Sequence, residues 1–318
     1  MPDVPVTPGD ARHVALFYQT EQDYLTAILA FLRDGLRAGH AAFVAVPGDK
    51  VGLLRDALGA EADSVAFADM TEMGRNPAWI IPRVQDFISG SKGRRVRYVG
   101  EPIWAMRSAA ELREATRHEA LINLAFGRAA ATILCPYDTG QLSASVLADA
   151  ERTHPALQDS GEVRPSMAYS GPAELPPEAN GPLPPPPAQA ESVIYRTDLS
   201  RVRALVGARA GEAGLPPYRA ADLVLAVSEV AANTIQHTAG EGTLRIWHDP
   251  GEIVCELSDH GHIEEPLAGR LRPPPGTAAG HGLWIVHQAC DLVELRSGDD
   301  GTAIRLHMGL PAPPDVLV

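Results

Sequence analysis

The chain has 318 residues, 45% of them hydrophobic, which is apolar surface enough for two globular cores. Its net charge of −13 and pI near 5.3 exclude a protein that works by lying on nucleic acid or an anionic membrane surface, and point to protein or small-molecule partners. The three cysteines, Cys135, Cys255 and Cys290, show no C-x-x-C pairing and read as reduced, buried thiols.

The start, MPDVPVTPGDARH, lacks a basic segment followed by an apolar run, and no stretch reaches the roughly twenty apolar residues needed to span a bilayer, so a cytoplasmic location is expected. Residues 13–18 read as a strand and 21–38 as an amphipathic helix stopped by Gly39. AAFVAVP is a continuous apolar run ended by proline, the pattern of a buried parallel strand, and 52–58 reads as a helix. SVAFADM, RRVRYVGEP and AATILCPYD are further strands, with helices over 80–88 and 109–126. This alternation predicts a three-layer α/β domain with a largely parallel sheet over residues 1–158.

Within that half, Pro47-Gly48-Asp49-Lys50 lacks the G-x-x-x-x-G-K-[ST] that wraps a phosphate, which excludes a P-loop ATPase. His13, His40, His118 and Cys135 are residue types that ligate a metal or haem iron, but their spacing follows no metal pattern, so structural histidines are the expectation. Glu101, Trp104, His118 and Glu119 stand near predicted strand ends and are candidates for one ligand-sensing pocket.

Residues 159–190 contain GPAELPPEANGPLPPPPAQAE, too poor in large apolar side chains to bury a core. Consecutive prolines from Pro184 to Pro187 predict an extended, semi-rigid tether. Residues 191–318 then read as an α+β sandwich: helices over 199–212 and 218–237, strands TLRIWHD and EIVCELSDH, a Gly/Pro-rich loop, a helix over 283–290, and strands LVELRS and AIRLHMG. The helices are expected on one face of a mixed sheet.

Three motifs in this half carry chemistry. Glu229 and Asn233 are four residues apart on the second helix and share a face that His237 continues, a pattern that a solvated stripe also produces. Asp259-His260-Gly261 lies where an apolar strand runs out. An aspartate there accepts from an exocyclic amine and a glycine lets the backbone approach a flat ring, although Asp and Gly are also ordinary turn residues. The segment Thr277-Ala278-Ala279-Gly280-His281-Gly282-Leu283 sets two glycines before a helix, presenting free N–H groups suited to a phosphate.

An E-x-x-x-N helix, a D-x-G strand end and a G-x-G-L loop, in that order within about sixty residues, resemble the Bergerat-type (GHKL) ATPases. With a glutamate in the first motif and no histidine-bearing dimerisation helix, the region 195–310 is similar to the anti-sigma factor serine kinases. The resemblance implies ATP and Mg²⁺ as cofactors. It makes Glu229 the general base toward a partner's hydroxyl, Asn233 the Mg²⁺ ligand and Asp259 the reader of the adenine amine. Gly261 lies beneath the base, Gly280 and Gly282 hold the phosphates, and Thr302 stands near the adenine. Ile263 departs from the family, which often has glycine there, and the loop holds three prolines, Pro273, Pro274 and Pro275.

The first half resembles the MEDS sensory domain, carried by His13 through Tyr18, Gly39-His40, Asp69-Met70, Gly74-Arg75-Asn76-Pro77, Gly100-Glu101-Pro102-Ile103-Trp104, Arg117-His118-Glu119-Ala120-Leu121 and Cys135-Pro136-Tyr137-Asp138. That implies a RecA-like α/β fold sensing a small-molecule ligand. Together the two resemblances imply a transcription regulator that binds a sigma factor or phosphorylates an anti-anti-sigma (STAS-type) protein, with dimers as the assembly. The alternatives are a partner-sequestering module with a degenerate ATP pocket, and a sensor histidine kinase. No helix between the linker and residue 218 offers a phosphoacceptor histidine followed by an acidic residue, which disfavours the last.

Overall fold

The computed structural model describes residues 12–311 except 160, 172–173, 239, 275 and 278–279, so Pro275, Ala278 and Ala279 of the glycine loop lie outside the described residues. The chain divides after Asn180 into two compact units. No helix among the described residues is long and apolar enough to cross a membrane.

The first unit runs β1 (Arg12–Tyr18), α1 (Glu21–Arg37), β2 (Ala41–Val46), α2 (Gly48–Leu58), β3 (Val65–Asp69), α3 (Met70–Met73), α4 (Ile80–Gly90), β4 (Val96–Gly100), α5 (Ala109–Phe126), β5 (Ala131–Asp138), α6 (Ala144–Thr153), β6 (Ala156–Asp159) and β7 (Glu162–Pro165), then a single turn, α7 (Pro177–Asn180). Its seven strands lie in the order β3-β2-β4-β5-β1-β6-β7, all parallel except the β6–β7 hairpin at the edge. Helix starts are encoded locally. Thr20 and Asp23 form a capping box on α1, and Ser108 and Glu111 form another on α5, each satisfying backbone N–H groups that a helix start leaves without partners.

The alternation of β1 positions the chemistry of this unit. Val14, Leu16 and Tyr18 join Tyr24, Ile28 and Leu32 of α1 in a core on one face, whereas His13, one residue out of phase, meets Glu119 of α5 on the other. Helices on both faces make the three layers expected.

The sheet also continues through Pro165, inside the stretch read as linker. Ala156, Leu157 and Gln158 pair with β1, and β7 folds back on β6 inside the stretch read as linker, so a composition poor in large side chains did not prevent a strand from forming there.

The second unit runs β8 (Glu191–Tyr195), α8 (Ser200–Glu212), α9 (Pro217–His237), β9 (Gly242–Asp249), β10 (Glu252–Asp259), α10 (His281–Ala289), β11 (Leu292–Gly298) and β12 (Gly301–Gly309). The strand order is β11-β12-β10-β9-β8, and every pairing is antiparallel, not mixed as the sequence suggested. The correction follows from connections of two residues each, 250–251 and 299–300, which permit only hairpins. Inward residues such as Leu244, Ile246, Cys255, Leu257, Ile304 and Leu306 pack against Val206, Leu223, Val227 and Val286 of the helices.

The opposite face of this sheet is polar yet buried. Arg305 donates to Glu256 through Nε at 3.1 Å, and its Nη2 donates to the Pro184 carbonyl at 2.7 Å. Arg296 donates to the Gly181 carbonyl at 3.1 Å. The proline-rich segment, expected as an extended, semi-rigid tether, therefore lies on the sheet's outer face at these two points; prolines leave their carbonyls available and supply no competing N–H.

His307 on the same face bonds Glu252 through Nδ1 at 3.1 Å and Glu294 through Nε2 at 3.2 Å. Burial lowers its basicity, but the two carboxylates outweigh it and push it up to about 9. Folded basicity above the ordinary 6.5 means the stabilisation is complete below about pH 6.5 and is lost as pH rises through about 9; the linkage amounts to roughly 3 kcal/mol. Urea unfolding across that range should show this loss, and His307→Gln should flatten it.

Candidate functional site

In the second unit, α9 carries Glu229 and Asn233, both half-buried, toward the first turn of α10. A Cβ placed on Gly282 would stand 3.2 Å from Glu229 Oε2 and 3.3 Å from Asn233 Nδ2, so a glycine keeps this space open between the three residues. Gly280 is the N-cap of α10, in the left-handed region at φ 85°, where a residue without Cβ pays no strain. The first N–H groups of the nine-residue α10 have no side-chain cap, and Gly282 in this first turn faces the carboxylate and carboxamide of α9.

Asp259, at the end of β10, is fixed on both oxygens. Oδ1 accepts from the Gly261 N–H at 2.7 Å, and Oδ2 accepts from Thr234 Oγ1 at 2.6 Å. Since Thr234 spends its proton on this carboxylate, the Tyr195 hydroxyl, 2.9 Å away, donates to Thr234. Thr234 directly follows Asn233, so one helical step links the two halves of the site. A Cβ on Gly261 would meet Thr238 Cγ2 at 2.6 Å and Asp259 Oδ1 at 2.9 Å, which excludes larger residues without a positive φ being involved.

Thr302, opposite Asp259 across the β10–β12 ladder, donates to the Gly261 carbonyl at 2.9 Å. Ser297 lies 2.8 Å from Thr302 Oγ1 and accepts the Ile263 N–H at 2.7 Å. Ile263, the departure at a family glycine position, packs its side chain on the core while its amide pins the start of the loop. The seven site residues expected from sequence therefore fall into two adjoining groups, Glu229-Asn233-Gly282 below Gly280 and Asp259-Gly261-Thr302. Tyr195 and Ser297 complete the second group and went unnoticed, because a hydroxyl that orients another hydroxyl has no spacing signature. His237 is exposed at the last position of α9.

The first unit does not bring its four pocket candidates together. Glu101 accepts from Tyr24 at 3.2 Å and is ion-paired to Lys50 on the α1 and α2 face, where burial pushes it up to about 7 against the pull of Lys50. Glu119 faces β1 from the other side of the sheet. Trp104 is half-buried, with the Arg107 guanidinium 3.9 Å from its ring centroid. A cleft of about 560 Å³ lies elsewhere, lined by Phe43, Ala68, Asp69, Glu72, Met73 and Arg83. A single pocket from Glu101, Trp104, His118 and Glu119 is thereby overturned.

Of the four candidate ligands, His13 and Cys135 do converge, with Nε2 and Sγ 3.3 Å apart, and they are joined by Glu119 and His154 instead of His40 and His118. His40 instead accepts from Arg97 at 3.4 Å in the turn before β2. Burial, and then the neighbouring His154, push His13 down to about 4, so its ring is neutral.

Residues 12–155 match the MEthanogen/methylotroph, DcmR Sensory (MEDS) domain, and residues 196–308 match the histidine kinase-like ATPase domain. No curated protein matches the chain. Among solved structures, the RsbU and RsbW domains of Rv1364c from Mycobacterium tuberculosis are similar at 19% identity and a TM-score of 0.31, over 40% of this chain and 34% of that one.

Proposed function

We propose that this chain, a MEDS domain joined to a histidine kinase-like ATPase domain, is an anti-sigma-type regulator that binds ATP with Mg²⁺ and phosphorylates a serine or threonine of an anti-anti-sigma (STAS-type) protein. The MEDS unit gates it by binding a small molecule, and a sigma factor is its second partner. A homodimer in the cytoplasm is the working assembly.

The observation that carries this reading is the approach of Glu229 and Asn233 to the glycine-opened start of α10. Asp259 has an oxygen-rich edge for the adenine amine, held in register by Gly261 and Thr234. Asn233 would hold Mg²⁺ through its side-chain carbonyl, and the ion would supply charge neutralisation for the phosphates. The N–H groups behind Gly280 hold the phosphates. Glu229 then takes the proton of the acceptor hydroxyl as its oxygen bonds to the γ-phosphorus, and ADP leaves with the electrons of the broken P–O bond.

Isothermal titration of ATP-Mg²⁺ into the wild type and Asp259→Asn tests the pocket. Affinity on the order of micromolar should fall about ten- to a hundred-fold in the variant, the worth of one charge-assisted hydrogen bond. No binding by the folded wild type would overturn the proposal.

A further inference from the structure

We infer that His13, Glu119, Cys135 and His154 form a four-coordinate site for a divalent transition-metal cation of the zinc class, buried in the first unit. Their donor atoms all lie within 4.8 Å of one another. The individual separations are 3.0 Å from His13 Nε2 to Glu119 Oε2, 3.3 Å from His13 Nε2 to Cys135 Sγ, and 3.4 Å from His154 Nε2 to Glu119 Oε2. A tetrahedral zinc with bonds of 2.0–2.3 Å has edges of about 3.3–3.8 Å, so these three separations lie within a few tenths of an ångström of the edges such an ion needs.

The surroundings aim lone pairs, not protons, at the centre. Asn123 donates its amide hydrogens toward the carbonyls of Glu119, Ala120 and Thr153, at 3.4, 3.2 and 2.8 Å. Its oxygen, 3.2 Å from His13 Nδ1, must therefore accept, which puts the proton of His13 on Nδ1 and leaves Nε2 bare. His154 Nδ1 lies 2.8 Å from the Ala150 carbonyl, which can only accept, so the neutral ring carries its proton on Nδ1 and offers Nε2 as a lone pair. Both outer contacts are of the kind that orients imidazole ligands of metals.

Two bare imidazole nitrogens, a carboxylate and a thiol thus face one another at 0–3% exposure. Neither His154 Nε2 nor Glu119 Oε1 has a hydrogen-bond partner among the described residues. Four electron-pair donors gathered in a dry core are costly to hold together without a cation among them. Binding M²⁺ releases the Cys135 thiol proton to solvent, and the thiolate and carboxylate together balance the cation's charge. Imidazole, thiolate and carboxylate in a compact set of four suit zinc. With all four positions filled from β1, β5, α5 and the end of α6, the site is of the closed, structural type and ties the helical layer to the sheet.

Cobalt(II) is the probe. Titrated into the reduced, chelator-stripped full chain, it should bind at about one equivalent, give tetrahedral visible bands and a thiolate-to-cobalt charge-transfer band, and be displaced by Zn²⁺. Cys135→Ser should remove the charge-transfer band, and His154→Gln should weaken cobalt binding at least about ten-fold. Cys255→Ser and Cys290→Ser, in the other unit, should keep the spectrum. The wild-type titration needs no variant: native circular dichroism without cobalt uptake would overturn the site, as would a charge-transfer band that survives in folded Cys135→Ser.

Discussion

Glu229→Gln is expected to lower phosphoryl transfer to a STAS-type acceptor about 10²–10⁴-fold while ATP-Mg²⁺ affinity stays within about three-fold. The substitution preserves shape and removes only the ability to take a proton. Glu229 Oε2 lies at the space opened by Gly282 and beside Asn233, which is where the proposed reading needs a carboxylate to take the hydrogen of an attacking hydroxyl. Single-turnover assays with labelled ATP measure the transfer, and calorimetry measures the binding. Unchanged transfer in the variant would remove Glu229 from the chemistry. Retained control of the sigma factor without any transfer, in wild type and variant alike, would favour sequestration over phosphorylation.

Gly301→Val should destabilise the second unit by about 3–5 kcal/mol and abolish nucleotide binding in whatever fraction folds. Gly301 sits at φ 112°, a region that side chains strain, and a Cβ there would stand 2.2 Å from the Asp259 carbonyl oxygen. The clash is with backbone, which has no rotamer by which to escape. The substitution would displace Asp259 and Thr302 together, since the two are paired across β10 and β12. Thermal unfolding and ATP titration separate the two effects. A variant with native stability and native affinity would show that the β11–β12 turn tolerates the shift.

Much of the architecture was legible because it is written in local periodicity. The helix expected over 109–126 forms over Ala109–Phe126, started by the Ser108–Glu111 capping box, and the all-apolar AAFVAV forms the completely buried β2. What escaped was non-local. β8 and the β6–β7 hairpin lie at sheet edges beside a proline-rich stretch, and edge strands need less apolar sequence to be recruited by a neighbour's hydrogen-bonding rim. The antiparallel order of the second sheet hung on connection lengths that the residue pattern alone left open.

The two sites were unequally readable for the same reason. Glu229, Asn233, Asp259 and Gly261 occur in short motifs whose spacing survives into the fold. The cluster of His13, Glu119, Cys135 and His154 draws on four elements, and it depends on the register that sets Ala15 opposite Cys135 and on the helix phase of Glu119. His118, one residue away on α5, looked the equal of Glu119 as a string of letters. A turn of 100° per residue sends neighbouring side chains in different directions.

The contacts of Gly181 and Pro184 with Arg296 and Arg305 bear on how this protein should be cut. A fragment started at Glu191, where β8 begins, would strip two carbonyl acceptors from guanidinium groups on the back of the sheet and bare that surface to other chains. A fragment started at Gly181 carries its own cover, and it is the piece of the protein to clone for nucleotide work.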